Sequence, residues 1–255
     1  MKIVVLLKQT FDTEAKISLK NGQIEEQGVT LIINPYDEFA LEEALRIKEK
    51  QGGQVTLLAI GSDTVKDSLR QGLAMGADRA ILIQKNLSIQ SDFDDSMVAE
   101  ALAKVLQEES YDLILTGWKA IDDNGAQMPL RVAEQLGLPQ INVVTKLEIA
   151  DGKATGTREI EGGSEVLEVP LPAMIAAQRG LNEPRYPSMR GIMQARKKEL
   201  KVIEADQLSL TAEAKVAVNA IFLPEPKKAG TIYQSAPAQA VQELVAALHN
   251  EAKVV

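Results

Sequence analysis

The chain has 255 residues, of which 45% are hydrophobic and 25% are charged, and its formal net charge is −8 at pH 7. This acidic balance argues against a general nucleic-acid binder and against a protein that anionic membranes attract. The sequence contains no cysteine, which excludes disulfides, thiolate metal sites and a cysteine nucleophile.

In chain order, the first half alternates short apolar runs with segments of helical periodicity. The runs predict strands at Ile3–Leu7, Val55–Ile60, Ala80–Ile83 and Leu113–Thr116. The periodic segments predict helices at Glu38–Lys50, Asp63–Met75 and Asp94–Glu109. Strands that are apolar throughout are typical of a parallel sheet covered on both faces. The alternation therefore predicts an α/β fold with a doubly wound, mainly parallel sheet.

The middle of the chain predicts an antiparallel hairpin excursion from this sheet. Turn signals at Asp151-Gly152 and Gly162-Gly163 separate predicted strands at Val143–Ala150, Ala154–Ile160 and Ser164–Val169. This pattern indicates two hairpins, after which the apolar run Ala173–Ala177 predicts another strand.

The last part of the chain changes from a compact pattern to an extended one. A proline-bounded surface loop and a short basic helix, Ile192–Lys201, are predicted first. From Ala205 onward the core pattern is lost, so we expect an extended C-terminal arm that ends in an amphipathic helix at Ala238–Asn250. We expect two domains, an α/β domain over residues 1–200 and, over residues 201–255, an arm that packs on another chain.

The sequence also predicts a cytoplasmic protein. The apolar start, MKIVVLLKQT, is too short for a signal peptide and has no cleavage site after it. Since no apolar run approaches about 20 residues, we expect no membrane insertion.

A ligand site is expected outside the carboxyl ends of the strands, where doubly wound sheets bind their ligands. The loops expected to meet there are Lys8–Thr10, Gly61–Ser62, Gly117–Gln127 and the helix entry Asn34–Asp37. The third of these loops has the build of an anion site, because a helix start offers unpaired backbone amides.

Within that loop, Asn124 or Gly125 is expected to cap a helix that begins near Ala126. Asp122 and Asp123 raise the alternative of a metal site, but no third ligand is near them in the sequence. A turn and cap pair that faces solvent is therefore favoured, and no metal is predicted.

The chain predicts no catalytic residue. Its single histidine, His249, falls in the final helix, where a solvent-facing side chain is expected. The motifs GxSxG, GxGxxG and GxxxxGK[ST] do not occur, and the first strand-end loop has no Ser-Gly-Gly run for pyrophosphate. A bound nucleotide would therefore be held and not cleaved.

Four stretches of the sequence together resemble the electron-transfer flavoprotein β-subunit family. They are INPYDEFALEEALRIKE, LRQGLAMGADRAILI, GWKAIDDNGAQ and, at Arg158–Lys198, REIEGGSEVLEVPLPAMIAAQRGLNEPRYPSMRGIMQARKK. The resemblance implies an adenine-nucleotide alpha-hydrolase-like fold and an obligate heterodimer with an α subunit, which carries most of the FAD and receives the C-terminal arm. It also implies electron transfer from an acyl-CoA or related dehydrogenase in fatty acid β-oxidation.

The resemblance leaves the nucleotide of the β subunit open. The simple type holds AMP as a structural ligand, whereas the electron-bifurcating type holds a second FAD that oxidises NADH. Bifurcating members commonly read Asp-Gly-Asp-Thr before Ala-Gln, and this chain reads Asp122-Asp123-Asn124-Gly125, so AMP is favoured. An ATP-using enzyme or nucleotide sensor with the same sheet is a third reading, which the missing pyrophosphate loop disfavours.

By position, the resemblance places nucleotide contacts on residues at the strand ends. They are Leu6, Asn34, Pro35, Tyr36, Asp37, Ile60, Gly117, Ala120, Asp122, Asn124, Gly125, Ala126, Gln127 and Met128. Leu6 and Ile60 would contact adenine, and Asp122 would bond backbone or ribose and not phosphate. Met128-Pro129 stands where many relatives have Thr-Gly or Val-Gly, so a hydroxyl donor is lost, while proline suits the first helical turn.

Two further surfaces follow from the resemblance. A loop that docks partner dehydrogenases would present Tyr186, Met189, Arg190 and Ile192, with Met189 as the projecting apolar anchor. Arg196, Lys197 and Lys198 would either steer an acidic partner or solvate a helix face. Near the isoalloxazine ring of the α-subunit FAD, the resemblance places Phe11 and Thr13.

Overall fold

The computed structural model describes residues 1–85, 93–227 and 229–254. The strands are β1 (Lys2–Leu6), β2 (Gln9–Phe11), β3 (Leu19–Lys20), β4 (Gln23–Ile24), β5 (Leu31–Ile33), β6 (Gln54–Gly61), β7 (Arg79–Gln84), β8 (Leu113–Gly117), β9 (Gln140–Ala150), β10 (Lys153–Ile160), β11 (Gly163–Pro170), β12 (Ala173–Ala177) and β13 (Leu200–Glu204). The helices are α1 (Pro35–Gln51), α2 (Val65–Met75), α3 (Asp95–Glu108), α4 (Met128–Leu136), α5 (Met189–Ala195) and α6 (Pro237–Ala247), with a 3₁₀ turn at Ala205–Leu208 and a π-helical turn at Leu248–Ala252.

One nine-stranded sheet organises the larger part of the chain, in the order β11-β10-β9-β12-β8-β1-β6-β7-β13. The pairs from β9–β12 through β7–β13 are parallel, and β9, β10 and β11 pair antiparallel. The prediction of a mainly parallel α/β sheet with an antiparallel hairpin excursion is confirmed.

The sheet is wound in both directions from β1. The chain passes through α1 to β6 and through α2 to β7 on one side, and α3 then returns it to β8 on the other side of β1. The direction of winding therefore reverses between β1 and β8, which makes the carboxyl ends of these two strands the switch point of the sheet.

The core lies on both faces of the sheet, because successive side chains of a strand point to opposite sides. In β1, Ile3 and Val5 pack with apolar residues of α1 and α2. Val4 and Leu6 of the same strand pack with residues of α3 and α4. This burial on both faces explains why β1 reads as an unbroken apolar run.

The prediction of a basic helix over Ile192–Lys201 is wrong beyond Ala195. The helix α5 ends at Ala195, and Leu200–Glu204 forms β13, which extends the sheet by pairing with β7. The Lys198 ammonium donates to the carbonyl oxygens of Leu73 and Ala77 at the end of α2, at 2.9 and 2.6 Å. This contact turns the chain from α5 toward the sheet edge, so Lys198 is a structural residue and not part of a solvated helix face.

Contacts divide the chain into two compact units, Met1–Ile221 and Phe222–Val255. The first unit extends past the boundary predicted at residue 200, since β13 belongs to its sheet. In the second unit, α6 has no buried residue and exposes Val241, Leu244 and Val245.

Among the described residues, no helix is both long enough and apolar enough to cross a membrane.

Candidate functional site

The loops that follow β1 and β8 meet the start of α1 at the switch point, where doubly wound sheets have their ligand-binding crevice. Two buried side chains of the α1 entry hold both loops. Asn34 donates through Nδ2 to the Lys119 carbonyl oxygen at 2.9 Å, and its Oδ1 accepts from the Ile121 N–H at 3.3 Å. Asp37 accepts from the Lys8 N–H at 2.7 Å and from the Gly117 N–H at 2.9 Å. Both side chains therefore brace the backbone of the crevice.

The carboxyl group of Asp37 has an unusual environment for a charged group. Its burial raises its pKa to about 7 from the usual 3.8, although hydrogen bonds from the Lys8 backbone, Asn34 and the Gly117 backbone act in the opposite direction. A buried carboxylate is costly unless donors surround it. Asp37 therefore titrates close to neutral pH at the centre of the crevice.

Gly117 is required by the packing of α1 against the end of β8. A Cβ atom at this position would lie 2.6 Å from Tyr36 Cβ and would also overlap the Asp37 carboxylate. Real Cβ atoms do not approach so closely, so the glycine permits the helix to start against the strand end. This close approach concerns the protein itself and explains the glycine without any ligand.

The loop after β8 is closed by an ion-pair cluster. The Lys8 ammonium lies 2.9 Å from Asp122 Oδ1 and 3.0 Å from Asp123 Oδ2. Asp123 also accepts from the Gly125 N–H at 2.8 Å. The two aspartates thus bind a lysine cation, and among the described residues no group of three or more acidic, histidine or cysteine side chains suits a metal ion.

The start of α4 differs from the prediction in its position and in its cap. The helix begins at Met128, and neither Asn124 nor Gly125 caps it. Asn124 and Ala126 have φ angles of 52° and 53°, so both lie in the left-handed region, which a helix start near Ala126 does not allow. No side chain caps α4, so the backbone N–H groups of Met128 and Leu130 in its first turn have no side-chain acceptor, while Pro129 has no N–H group.

A cation that the sequence analysis missed lies beside this helix start. Gln127 Oε1 accepts from Arg131 at 2.8 Å from Nη2 and at 3.2 Å from Nε. The spacing of four residues on α4 is the signal that predicts such a pair. Arg131 therefore places a positive charge in the first turn of α4.

The predicted adenine contacts lie in an apolar core cluster that also includes Met128 at the start of α4. Leu6 is buried at the end of β1, and the half-buried Ile60 and Met128 pack against the same core cluster. Leu6 and Ile60, the predicted adenine contacts, thus belong to the apolar cluster on the face of the sheet that carries α3 and α4. Of the other predicted contacts, Pro35 lies in the first turn of α1, and Ala120 is half-buried and accepts from the Asn124 N–H at 3.0 Å.

Tyr36 instead packs with the aromatic residue that follows Gly117. Its ring meets the Trp118 ring edge to face, with centroids 5.7 Å apart. The Lys119 ammonium lies 4.6 Å from the Trp118 ring centroid, and the indole N–H donates to Gln178 at 3.0 Å. The Tyr36 side chain is therefore engaged within the protein.

The predicted docking loop projects four apolar side chains, which we call the docking surface: Tyr186, Met189, Ile192 and Met193. Tyr186 is 94% exposed and Met189 is 79% exposed. Arg190 is also exposed, and Met193 was not predicted. Phe11 and Thr13 lie elsewhere, Phe11 half-buried in β2 and Thr13 exposed in the turn that follows.

A separate open groove of about 860 Å³ lies at the opposite, amino-terminal edge of the sheet. Met1, Gln54 and Tyr111 contribute to its lining. The groove is larger than a single phosphate needs, but it lies away from the switch point and from the uncapped start of α4. We place the candidate site at the carboxyl ends of the strands because doubly wound sheets bind their ligands there, whatever the size of other grooves.

A mainly parallel sheet that is wound in both directions from β1 defines a doubly wound α/β protein, a class whose members bind ligands at the switch point. The family model of the electron transfer flavoprotein domain matches residues 21–208. The chain is 48% identical over 255 residues to the electron transfer flavoprotein subunit beta of Syntrophomonas wolfei, covering 100% of this chain and 98% of that protein.

Two further curated proteins match along their full length. The electron transfer flavoprotein subunit beta of Bacillus subtilis is 44% identical over 261 residues, with 100% of each chain covered. The mitochondrial electron transfer flavoprotein subunit beta of Arabidopsis thaliana is 38% identical over 260 residues, again with 100% of each chain covered. The chain belongs to the electron transfer flavoprotein β-subunit family.

Proposed function

We propose that this chain is the β subunit of a heterodimeric electron transfer flavoprotein and that its crevice holds one AMP molecule as a structural ligand. The observation that carries the AMP proposal is the uncapped start of α4 after the loop that follows β8, with Arg131 in the first turn of that helix. Backbone amides at a helix start bind phosphate groups well.

Each part of the nucleotide has a matching part of the crevice. The phosphate would take the first amides of α4 and the Gln127 side chain, whose oxygen is turned toward Arg131. The adenine would lie against Leu6, Ile60 and Met128. Asp122 pairs with Lys8, which fits its expected role away from the phosphate.

The bound nucleotide would stabilise the subunit and undergo no chemistry. A ligand that binds only the folded state raises stability in proportion to the logarithm of its concentration over its dissociation constant. Asn34 and Asp37 would keep the two loops in the spacing that the ligand needs. The chain would thus act as an electron-carrier subunit and not as a bond-making enzyme.

The α subunit is the proposed obligate partner, with most of the FAD. When bound, that FAD would accept two electrons from a donor and would pass them one at a time to an acceptor. Residues of this chain would enclose it, with Phe11 and Thr13 as the proposed near neighbours. The exposed apolar side chains of α6, which include Val241, Leu244 and Val245, support a second unit that packs on the α subunit.

We further propose that the docking surface binds an acyl-CoA or related flavin dehydrogenase in fatty acid β-oxidation. The exposure of Met189 and Tyr186 supports this role, since isolated large apolar side chains on a fixed loop suit a replaceable contact.

The lack of cysteine in the sequence supports a reducing, cytoplasmic compartment.

The nucleotide proposal is tested by denaturing the purified αβ complex and identifying the released small molecules by mass spectrometry. We expect one AMP and one FAD per heterodimer. Two FAD molecules without AMP would establish the bifurcating alternative, and ATP hydrolysis by the isolated chain would support an ATP-using enzyme. A complex that released no adenine compound besides the FAD of the α subunit would refute the crevice assignment.

The docking proposal is tested by Met189→Ala in the same complex. We expect a higher KM for the reduced dehydrogenase and unchanged AMP and FAD content. Val166→Ala is the matched control, because Val166 is a 66% exposed apolar residue on the edge strand β11. Equal kinetics of the two variants would refute the role of Met189.

A further inference from the structure

We infer that Arg185 is the positioning residue of the docking surface: it fixes the chain segment immediately before Tyr186 to helix α1. The inference rests on the proposed docking function, which it extends from the contacting side chains to the contacts that hold them. Arg185 itself would not touch the dehydrogenase.

The first fixed point of the docking loop is formed by α1. Arg185 Nε lies 2.8 Å from Glu42 Oε2, its Nη2 lies 3.1 Å from Glu42 Oε1, and its backbone N–H donates to the same carboxylate at 3.2 Å. Arg185 also donates to Glu49, at 3.1 Å from Nη2. Three residues earlier, Asn182 Nδ2 donates to the Phe39 carbonyl oxygen and to Glu43, both at 2.9 Å.

The Glu42 carboxylate makes this fixed point strong. Its side chain is only 4% exposed, so burial would raise its pKa, but hydrogen bonds from Arg185 and Arg46 hold that pKa below the usual value. A buried carboxylate needs such partners, because an unpaired charge in the interior is costly. The planar guanidinium grips both carboxylate oxygens at once, which a lysine does not do.

The second fixed point lies on α2. A Cβ atom on Gly191 would overlap the carbonyl oxygen of Ala74, so α5 packs directly on the backbone of α2. Arg70 Nη1 donates to the carbonyl oxygens of Ala195 and Lys198, at 2.6 and 2.8 Å. The exposed tips Tyr186 and Met189 therefore lie between a fixed point on α1 and a fixed point on α2.

Two fixed points give the docking surface a preformed shape. An exposed loop that must order on binding loses affinity for its partner, whereas a loop that is already ordered avoids this cost. Loss of the Arg185 contacts would release residues 183–188 from α1, while Asn182 stays bonded to α1 and α5 stays held on α2. Donor binding would weaken, and the transfer step at saturating donor would stay the same.

The test is Arg185→Met in the αβ complex, with a purified acyl-CoA dehydrogenase reduced by its acyl-CoA as the donor. We expect the donor KM to rise about tenfold, the scale of ordering one or two side chains, with kcat unchanged. Amide hydrogen exchange should become faster in residues 183–188 and stay unchanged in α4. Arg185→Lys should recover only part of the KM, because it keeps the charge and loses the two-oxygen grip.

Arg158→Met is the matched control. Arg158 pairs with Glu165 on the hairpin, and its side chain is 34% exposed, the same fraction as that of Arg185. An unchanged KM in Arg185→Met, together with a raised KM in Met189→Ala, would overturn the positioning role alone. An unchanged KM in Met189→Ala would overturn the docking function and this inference with it. A fall in kcat at unchanged KM would also overturn the inference.

Discussion

The buried carboxyl group of Asp37 makes the stability of the protein depend on pH in a direction opposite to that of most carboxylates. Its pKa is raised by burial from 3.8 to about 7. Below the lower value the group is protonated in both the folded and the unfolded chain. As the pH rises, the unfolded chain loses this proton first, so the stability from the protonated group is lost progressively up to about pH 7.

The size of the effect follows from the two pKa values. A shift from 3.8 to about 7 corresponds to about 4 kcal/mol, of which about 3 kcal/mol falls between pH 4.5 and pH 8. Asp37→Asn removes the titration. The substitution also replaces one carboxylate oxygen, which accepts the N–H of Lys8 or of Gly117, by an amide NH₂ group that cannot accept a hydrogen bond. The lost hydrogen bond should lower the unfolding free energy by about 1–3 kcal/mol at every pH.

Urea unfolding of wild type and Asp37→Asn at pH 4.5 and pH 8, at one protein concentration, measures this difference. The unfolding free energy of the variant relative to the wild type should rise by about 3 kcal/mol between the two pH values. Asp112→Asn is the matched control, because Asp112 accepts the Lys2 N–H at 2.7 Å at the exposed end of β1. A difference for Asp37→Asn that does not change with pH would refute the raised pKa.

Three further substitutions test other contacts. Gly117→Ala should destabilise by about 1–3 kcal/mol and lower nucleotide content, because the new methyl group overlaps the start of α1; unchanged melting would contradict this packing. Lys198→Met should destabilise by about 1–3 kcal/mol in thermal melting, because it leaves the carbonyl oxygens of Leu73 in α2 and of Ala77 just after it without this donor. The exposed Lys197→Met should have no effect. Glu100 accepts the N–H groups of Thr211 and Ala212 at 2.8 and 2.7 Å, so Glu100→Gln should speed proteolysis near Thr211. Burial alone would raise the pKa of Glu100, but these hydrogen bonds lower it to about 2. In the wild type the contact is therefore lost as the pH falls from 4.5 toward 2. Equal rates of cleavage in the wild type and the variant would refute the role of this contact.

The central strands could be predicted from the sequence because their environment is uniform along their length. In β8, all residues from Leu113 to Gly117 are buried, and the strand is apolar except for Thr116. β13 could not be recognised in this way. As an edge strand it has only two partly buried residues, Leu200 and Ile203, and a basic run precedes it. The contact of Lys198 with α2, more than a hundred residues away in sequence, decides its course.

The candidate site was predictable in its place but not in its internal contacts. Chain order alone places the loops after β1 and β8 at one edge of a parallel sheet. The hydrogen bond from Gly117 to Asp37 joins residues 80 positions apart, and no local pattern indicates it. The left-handed conformation of Ala126 moved the helix start to Met128, since a non-glycine residue adopts it only where the surrounding structure imposes it.

Trp118 gives the crevice a spectroscopic consequence. It is the only tryptophan in the chain, so all indole emission of this subunit originates at the loop that follows β8. The Lys119 ammonium beside its ring and the Gln178 oxygen at its N–H are polar neighbours to which the emission maximum is sensitive. We therefore expect the proposed nucleotide to change the intrinsic fluorescence of this subunit when it binds, so that binding is measured without a label.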